Sequence, residues 1–515
     1  MKKNVKTLIV VGVAAVLLVG IMLLLIFLPN GDSDSTTTYD EGIDMSASVD
    51  KDGVHQVKIN TNEKGEIKNN SYGTLIEYVP AEISKIQVEN KSGSFEIESE
   101  TPTDENGNTE ATVYTIKGFE DFDLQTGAPD SIANAAAQLD FSKVVSMDKS
   151  RAADFGFDDP RATITVTYTD KTKAVFIMGD DAPQNGGTYM KFGDGDAVYL
   201  VDTDTVSCFD YGITDMISLD INESASNDDN SQASSITISG SNFSRTIELV
   251  PNTSSKNSAS YLMKEPTECY ANESETSLVE GAVRGLYATG VKMVNPSDNQ
   301  LSELGLAKPY AQIKAVYPDT TVELLASKPD SSGNVYLMEK GGKVVYTIAA
   351  DTVPWVTTSY EALLSEYVLN QKIASLSKMT VNDGSKTYDF SLSSKEVTTT
   401  DDEGSETTTT QTTVKYGDKE LELAYFSTFF QNNSLVKLAD TKSGKTSGKP
   451  IYSVSYQYSS DGTTDRVEFY STGENRYLAV LNGNAVGHVH KSTVNKLIDQ
   501  VSQVAQGKTV DSLNG

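Results

Sequence analysis

The chain has 515 residues, with 42 Lys+Arg against 72 Asp+Glu and a formal charge of −30. That acidic excess repels a phosphate backbone, so no nucleic-acid partner is expected. Two cysteines, Cys208 and Cys269, are too few for a disulfide-stapled scaffold, and the fold must rest on hydrophobic cores.

The first element is an apolar run: Thr7 to Leu28 holds 22 residues and no ionisable side chain. At ~1.5 Å per residue it gives about 33 Å of helix, enough for a ~30 Å hydrocarbon layer. Lys2, Lys3 and Lys6 precede the run, and Asp32, Asp34, Asp40 and Glu41 follow it. Cationic flanks stay cytoplasmic, which puts the N-terminus inside and everything after Pro29 outside. The run exceeds the usual signal-peptide core of about 7–15 residues, and Phe27-Leu28-Pro29-Asn30 offers no small-x-small cleavage site. Residues 1–30 therefore read as a retained membrane anchor on a single-pass protein of the cell membrane. Residues 31–72, rich in Asp, Ser, Thr, Asn and Gly, read as a flexible acidic stalk, with His55 to Ile59 able to add a strand.

Beyond the stalk the chain repeats itself. Ile83 to Val88, Ala233 to Ile238 and Leu376 to Val381 each alternate apolar and polar residues as a half-buried strand does. Each is followed by a turn and a second alternating run, so each pair predicts a hairpin. A proline then precedes a further alternating run: Pro160 before Ala162 to Val166, Pro309 before Ala311 to Val316, and Pro450 before Ile451 to Tyr456. The prolines lie 74, 73 and 71 residues beyond Ile86, Ile236 and Met379. Tyr189, Tyr336 and Tyr477 follow them by 29, 27 and 27 residues, and Val206, Val353 and Val494 follow those tyrosines by 17 in each case. Proline at the start of a strand loses no interior ladder bond, so the position is physically sensible.

Between hairpin and proline each unit carries a short helical stripe. The first is Ile132, Ala135, Ala136 and Leu139 after a cap at Asp130 or Ser131; the second is Val279, Val283 and Leu286 after Ser277; the third is Phe426, Phe429 and Phe430. A short helix is expected after each of Val206, Val353 and Val494. The expected fold is α+β and β-rich, with three tandem modules of antiparallel strands and a packed helix, at 73–225, 226–368 and 369–515. The Thr-rich stretch Val397 to Thr413, interrupted by Asp401-Asp402-Glu403-Gly404, reads as a surface loop inserted in the third module.

No catalytic, cofactor or metal site is predicted, and the chain reads as a non-enzyme. Gly444-Lys445-Thr446 has Ala439 where a phosphate loop needs its first glycine, and a proline-led strand follows where a helix is required. His488-Val489-His490 places two imidazoles on one strand face, which reads as exposed sheet surface. Asp194-Gly195-Asp196 and Asp104 to Asn108 lack the glycine and glutamate of a calcium loop and read as turns. Cys208 and Cys269 are able to pair in an oxidising compartment, but spacing does not decide it.

The elements Phe155-Gly156-Phe157-Asp158-Asp159-Pro160 and Leu304-Gly305-Leu306-Ala307-Lys308-Pro309, each followed by strands and a tyrosine, carry a resemblance. They resemble the bacterial domain-of-unknown-function 4340 family (DUF4340), whose members hold a Gly-Leu-x-x-Pro element. The similarity covers roughly residues 83 to 365; Gly448-Lys449-Pro450 lacks the Gly-Leu spacing. Members typically have an N-terminal anchor and are often encoded with ABC-type transport components of the gliding-motility kind. The resemblance thus implies an extracytoplasmic auxiliary or scaffold subunit, with an ABC permease and ATPase as partners and no catalytic residues to carry over. The alternative is a surface module that binds envelope glycan or another ligand.

Overall fold

A computed structural model describes residues 42–515, apart from 105–106, 226–231, 255, 267, 401–405, 443, 474 and 514–515. The apolar run Thr7 to Leu28 lies outside the described residues, among which no helix is long and apolar enough to cross a membrane.

The chain is β-rich, and three antiparallel sheets of eight, nine and eight strands dominate it. In each, the opening hairpin lies beside the strand that follows the proline. Ile83–Asn90 sits between Gly93–Glu100 and Ala162–Tyr168. Ser235–Ser239 sits between Ile247–Pro251 and Ala311–Val316, and Leu376–Asn382 between Thr387–Thr400 and Tyr452–Tyr458. The registers are equivalent: Val88 faces Ile164, Ile238 faces Ile313, and Val381 faces Val454. From that central pair each sheet continues by hairpins, in the first through Lys173–Asp181, Thr188–Phe192 and Val198–Val201.

Alternation decides which face is covered. In Ala162–Tyr168 the side chains of Ala162, Ile164, Val166 and Tyr168 are buried and the intervening threonines are half-exposed. In Ala311–Val316, Ala311, Ile313 and Ala315 are buried while Lys314 is exposed. A slip of one residue would invert these faces, so the core fixes the register. By contacts the described chain forms two compact units, one of residues up to Lys117 with Ser131–Asp210, the other of Gly118–Asp130 with Tyr211–Gly515. The first sheet lies in the former, the second and third in the latter.

The helices correct several expected boundaries. The first runs Ala128–Ala137, so Asp130 lies in its first turn and Ser131 inside it, and Leu139 belongs to the strand Gln138–Phe141. Leu139 is buried all the same, because the helical and strand periods both point it inward there. The second helix is Glu273–Gly281, capped not near Ser277 but by Asn272, whose side chain accepts from the backbone N–H of Ser274 at 3.1 Å. Val283 and Leu286 are buried beyond its end, after Gly281. Phe426, Phe429 and Phe430 are buried on the helix Leu423–Ser434. Thr203–Val206 and the 3-10 turn Pro354–Val356 are short, but the helix carrying Val494 extends over Lys491–Ala505. Val494, Leu497, Val501 and Val504 form its buried stripe, and no glycine or proline interrupts it before Gly507.

Two segments hold more strand than their composition suggests. Within the stalk, His55–Ile59 is the strand that its alternation allows, its partner is Met45–Val49, and Ile43, Val57 and Ile59 are buried despite the polar composition around them. The hairpin is docked: His55 Nε2 lies 3.0 Å from the Tyr78 hydroxyl and 2.9 Å from the Thr172 hydroxyl. Gln56 also accepts from the backbone N–H of Asp194 at 3.0 Å. Few apolar residues suffice when a folded neighbour offers a surface to cover them. The Thr-rich stretch continues the ladder as a long hairpin, Thr387–Thr400 with Glu406–Tyr416, in register out to Thr400 opposite Glu406. Threonine is β-branched and tolerates water on both faces, which suits a ribbon that leaves its sheet. The Thr398 and Thr408 hydroxyls meet across it at 3.0 Å. Its tip, 401–405, lies outside the described residues.

Burial holds the His55 imidazole below its ordinary value of 6.5, against the pull of the Asp170 carboxylate facing it. A depressed histidine favours the docked hairpin above that value; below it the undocked strand takes a proton that the docked one resists. Backbone amides of His55–Ile59 should therefore lose protection between about pH 7.5 and about pH 5.5, after correction for intrinsic exchange. In His55→Gln the loss should be absent.

Candidate functional site

Three constellations of polar groups stand out, and only the one around His488 includes a residue that the sequence motifs mark. The first is a cleft of about 800 Å³ beside the second sheet. Asp123, Asp220, Glu223, Arg284, Asp319 and Glu339 line it, drawn from segments far apart in the chain. Arg284 grips Asp319 with two parallel bonds, Nη1 to Oδ1 at 3.2 Å and Nη2 to Oδ2 at 2.8 Å, and lies 4.8 Å from the centre of the Tyr317 ring. That guanidinium holds the Asp319 carboxyl below the usual carboxylate range. Burial pushes the Tyr317 hydroxyl up to about 12. The remaining carboxylates make the cleft net acidic, a surface that favours cationic groups. Among the described residues no three His, Cys, Asp or Glu side chains converge to hold a metal ion.

A second groove, about 580 Å³, lies at the turn after Ser235–Ser239. Phe243, Arg245, Pro266, Thr358, Tyr360 and Glu361 line it. Phe243 and Tyr360 are half-buried against the second core, while the Thr358 hydroxyl is buried without a partner among the described residues. Aromatic surface beside hydroxyl, guanidinium and carboxylate groups is chemistry that suits a polar, ring-shaped ligand.

The third constellation involves His488. Its Nδ1 lies 2.7 Å from Asp440 Oδ1, and the other oxygen of Asp440 pairs with Arg476. Burial works to raise the Asp440 carboxyl, but the bonds from His488, the Lys442 amide and Arg476 outweigh it and hold it low. The backbone repeats the attachment: Ala439 N–H donates to the His488 carbonyl at 2.7 Å, and His488 N–H to the Asp440 carbonyl at 3.1 Å. The Asp440 segment thus covers the outer edge of Asn484–His490, the last strand of the third sheet. His488 is half-buried at this edge seal and His490 is exposed at the start of the following helix. A covered edge cannot template further strands, and that is the work His488 does here. Nothing in the sequence pairs Asp440 with Arg476 and His488, which lie 36 and 48 residues away.

The other motifs are structural. Asp194 receives its place from Gln56, and Asp196 faces Lys149 at 3.6 Å. Asp104 accepts from the Asn108 N–H at 2.7 Å. Gly444 packs against Leu478, where a Cβ would meet its side chain at 2.8 Å. Both cysteines carry free thiols, which burial pushes up to about 12 for Cys208 and about 11 for Cys269.

A family model described as a domain of unknown function, DUF4340, matches the chain twice, over residues 115–291 and 263–439. The two matches together span 115–439, well over half of the chain. The chain belongs to the DUF4340 family. The offset between the starts of the matches is 148 residues, against 149 between Pro160 and Pro309, so the family's own unit has the period of the sheets. Its frame is shifted: the first DUF4340 match begins at the end of Val113–Ile116 and finishes in Gly290–Val294, joining the later half of one sheet to the earlier half of the next. The second reaches past the Phe426 helix, further than the resemblance over 83 to 365. No curated protein and no solved structure matches the chain.

Proposed function

We propose that this DUF4340 chain is a non-enzymatic, membrane-tethered scaffold subunit whose sheets stand outside the cytoplasm and dock on a membrane transport assembly of the ABC type. The observation that carries this reading is the repeated sheet plan itself. Three sheets share one central strand plan, each with its own buried face, which is how a chain of repeated modules without a catalytic centre is built. The apolar run Thr7 to Leu28 with its lysine flank supplies the tether and the orientation, and the family's frequent company of transport components supplies the partner class. Protease added to intact cells should degrade the three sheets while leaving a cytoplasmic marker whole; protection until the membrane is permeabilised would contradict the orientation.

The groove at Phe243, Arg245 and Tyr360 favours a second reading, a module that binds envelope glycan. The two readings differ in what the full chain carries with it from the membrane.

A further inference from the structure

The junction between the second and third sheets contains a polar arrangement that packing alone does not require. The loop after Ile247–Pro251 lies against the linker that enters the third sheet: Ser258 N–H donates to the Asn370 carbonyl at 3.0 Å, and Lys372 N–H to the Lys256 carbonyl at 3.2 Å. These bonds set Asn257 opposite Gln371 in an antiparallel bridge. Both side chains are buried, at 2 % and 3 % exposure. Asn257 Oδ1 accepts from the Ala259 N–H at 2.7 Å, but the Asn257 side-chain nitrogen and both polar atoms of the Gln371 side chain have no partner among the described residues. Beside them Lys256 reaches across to the turn after Tyr452–Tyr458. Its Nζ donates to Asp461 at 2.7 Å and to the Thr463 hydroxyl at 2.6 Å, and lies 4.8 Å from the centre of the Tyr458 ring.

We infer that this seam is a latch, closed by the Lys256 clamp against the cost of unpaired buried amide atoms, and able to open while both sheets stay folded. Amide groups buried without partners penalise the closed state and regain their hydrogen bonds with water when the seam opens. The clamp opposes this through a charge pair that is part-exposed, at 22 % for Lys256 and 46 % for Asp461, and therefore open to screening by salt. Each sheet has its own core of buried residues, and Tyr270 of the second sheet packs at the margin of the third core, so opening exposes the seam and the Tyr270 contact and leaves both fully buried cores in place. The third sheet bears the long Thr-rich hairpin, which would move with it.

Amide exchange on the full-length protein tests the latch, comparing the seam peptides around Ser258 and Lys372 with the strands Ala311–Val316 and Tyr452–Tyr458. Seam exchange should rise about tenfold from low to molar salt, with the strands unchanged. Lys256→Met, which keeps the stem and removes the charge, should produce the same rise at low salt. Gln371→Met, which removes two unpaired atoms at similar volume, should slow seam exchange several-fold. Insensitivity to both salt and Lys256→Met would overturn the latch, as would strands exchanging in step with the seam. Faster exchange in Gln371→Met would also overturn it, by showing that the amide is partnered.

Discussion

Replacing Ile313 with Asp should unfold the second sheet, while the same substitution at Lys314, one residue on, should leave it folded. Ile313 is fully buried at the centre of the second core, facing Ile238 on one side and Leu324 on the other. A carboxylate there has no cationic partner, and burying it costs several kcal/mol, comparable with the ~5–15 kcal/mol that holds a whole domain. Lys314 points the other way, into solvent, between Thr237 and Glu323. An Asp at that position meets Glu323 across the strands, a repulsion of about 0.2–1 kcal/mol, and loses nothing else. Fluorescence of Trp355, the only tryptophan, reads this core directly because the ring is fully buried within it. A red-shifted emission in Ile313→Asp beside a native one in Lys314→Asp is the expected result. Equal shifts in the two variants would mean that the register assigned to the strand after Pro309 is wrong.

Trp355→Ala should be the most destabilising truncation in the same core. The indole is fully buried in the core that also holds Val279, Val283 and Ile348, and its Nε1 donates to the Ala282 carbonyl at 2.9 Å. Removing it opens a cavity worth roughly 3–5 kcal/mol. A buried carbonyl then loses its donor, at a further cost of about 1–3 kcal/mol. Trp355→Phe keeps most of the ring and loses only the bond, so its melting temperature should fall between those of wild type and Trp355→Ala when followed by circular dichroism. If Ala and Phe melt together, the hydrogen bond and not the packing dominates, and the assignment of Trp355 as a core filler fails.

Much of this fold was legible because it is written in periods. The alternations after Pro160, Pro309 and Pro450 and the phenylalanines of the Leu423–Ser434 helix are local signals, and burial follows them. Composition misleads where it runs against period. The Thr-rich stretch and the polar stalk look like loops by content, yet one extends a ladder at both strands and the other buries Ile43, Val57 and Ile59. Helix ends differ from the helical period at Leu139, where helical and strand periods coincide, and after Gly281, beyond which Val283 and Leu286 keep the stripe without the helix. The polar constellations were out of reach in principle. Arg284 and Asp319 are 35 residues apart, and Lys256 and Asp461 are 205 apart, and no local pattern brings such pairs together.

The measurement that tests the functional reading most directly is capture of the tagged full-length chain from membranes in mild detergent. A scaffold subunit of a transport assembly should bring an integral-membrane permease and its ATPase with it in fixed ratio, and Ile313→Asp should lose both. Recovery of the chain without either component, or with envelope polysaccharide in their place, would contradict the scaffold reading.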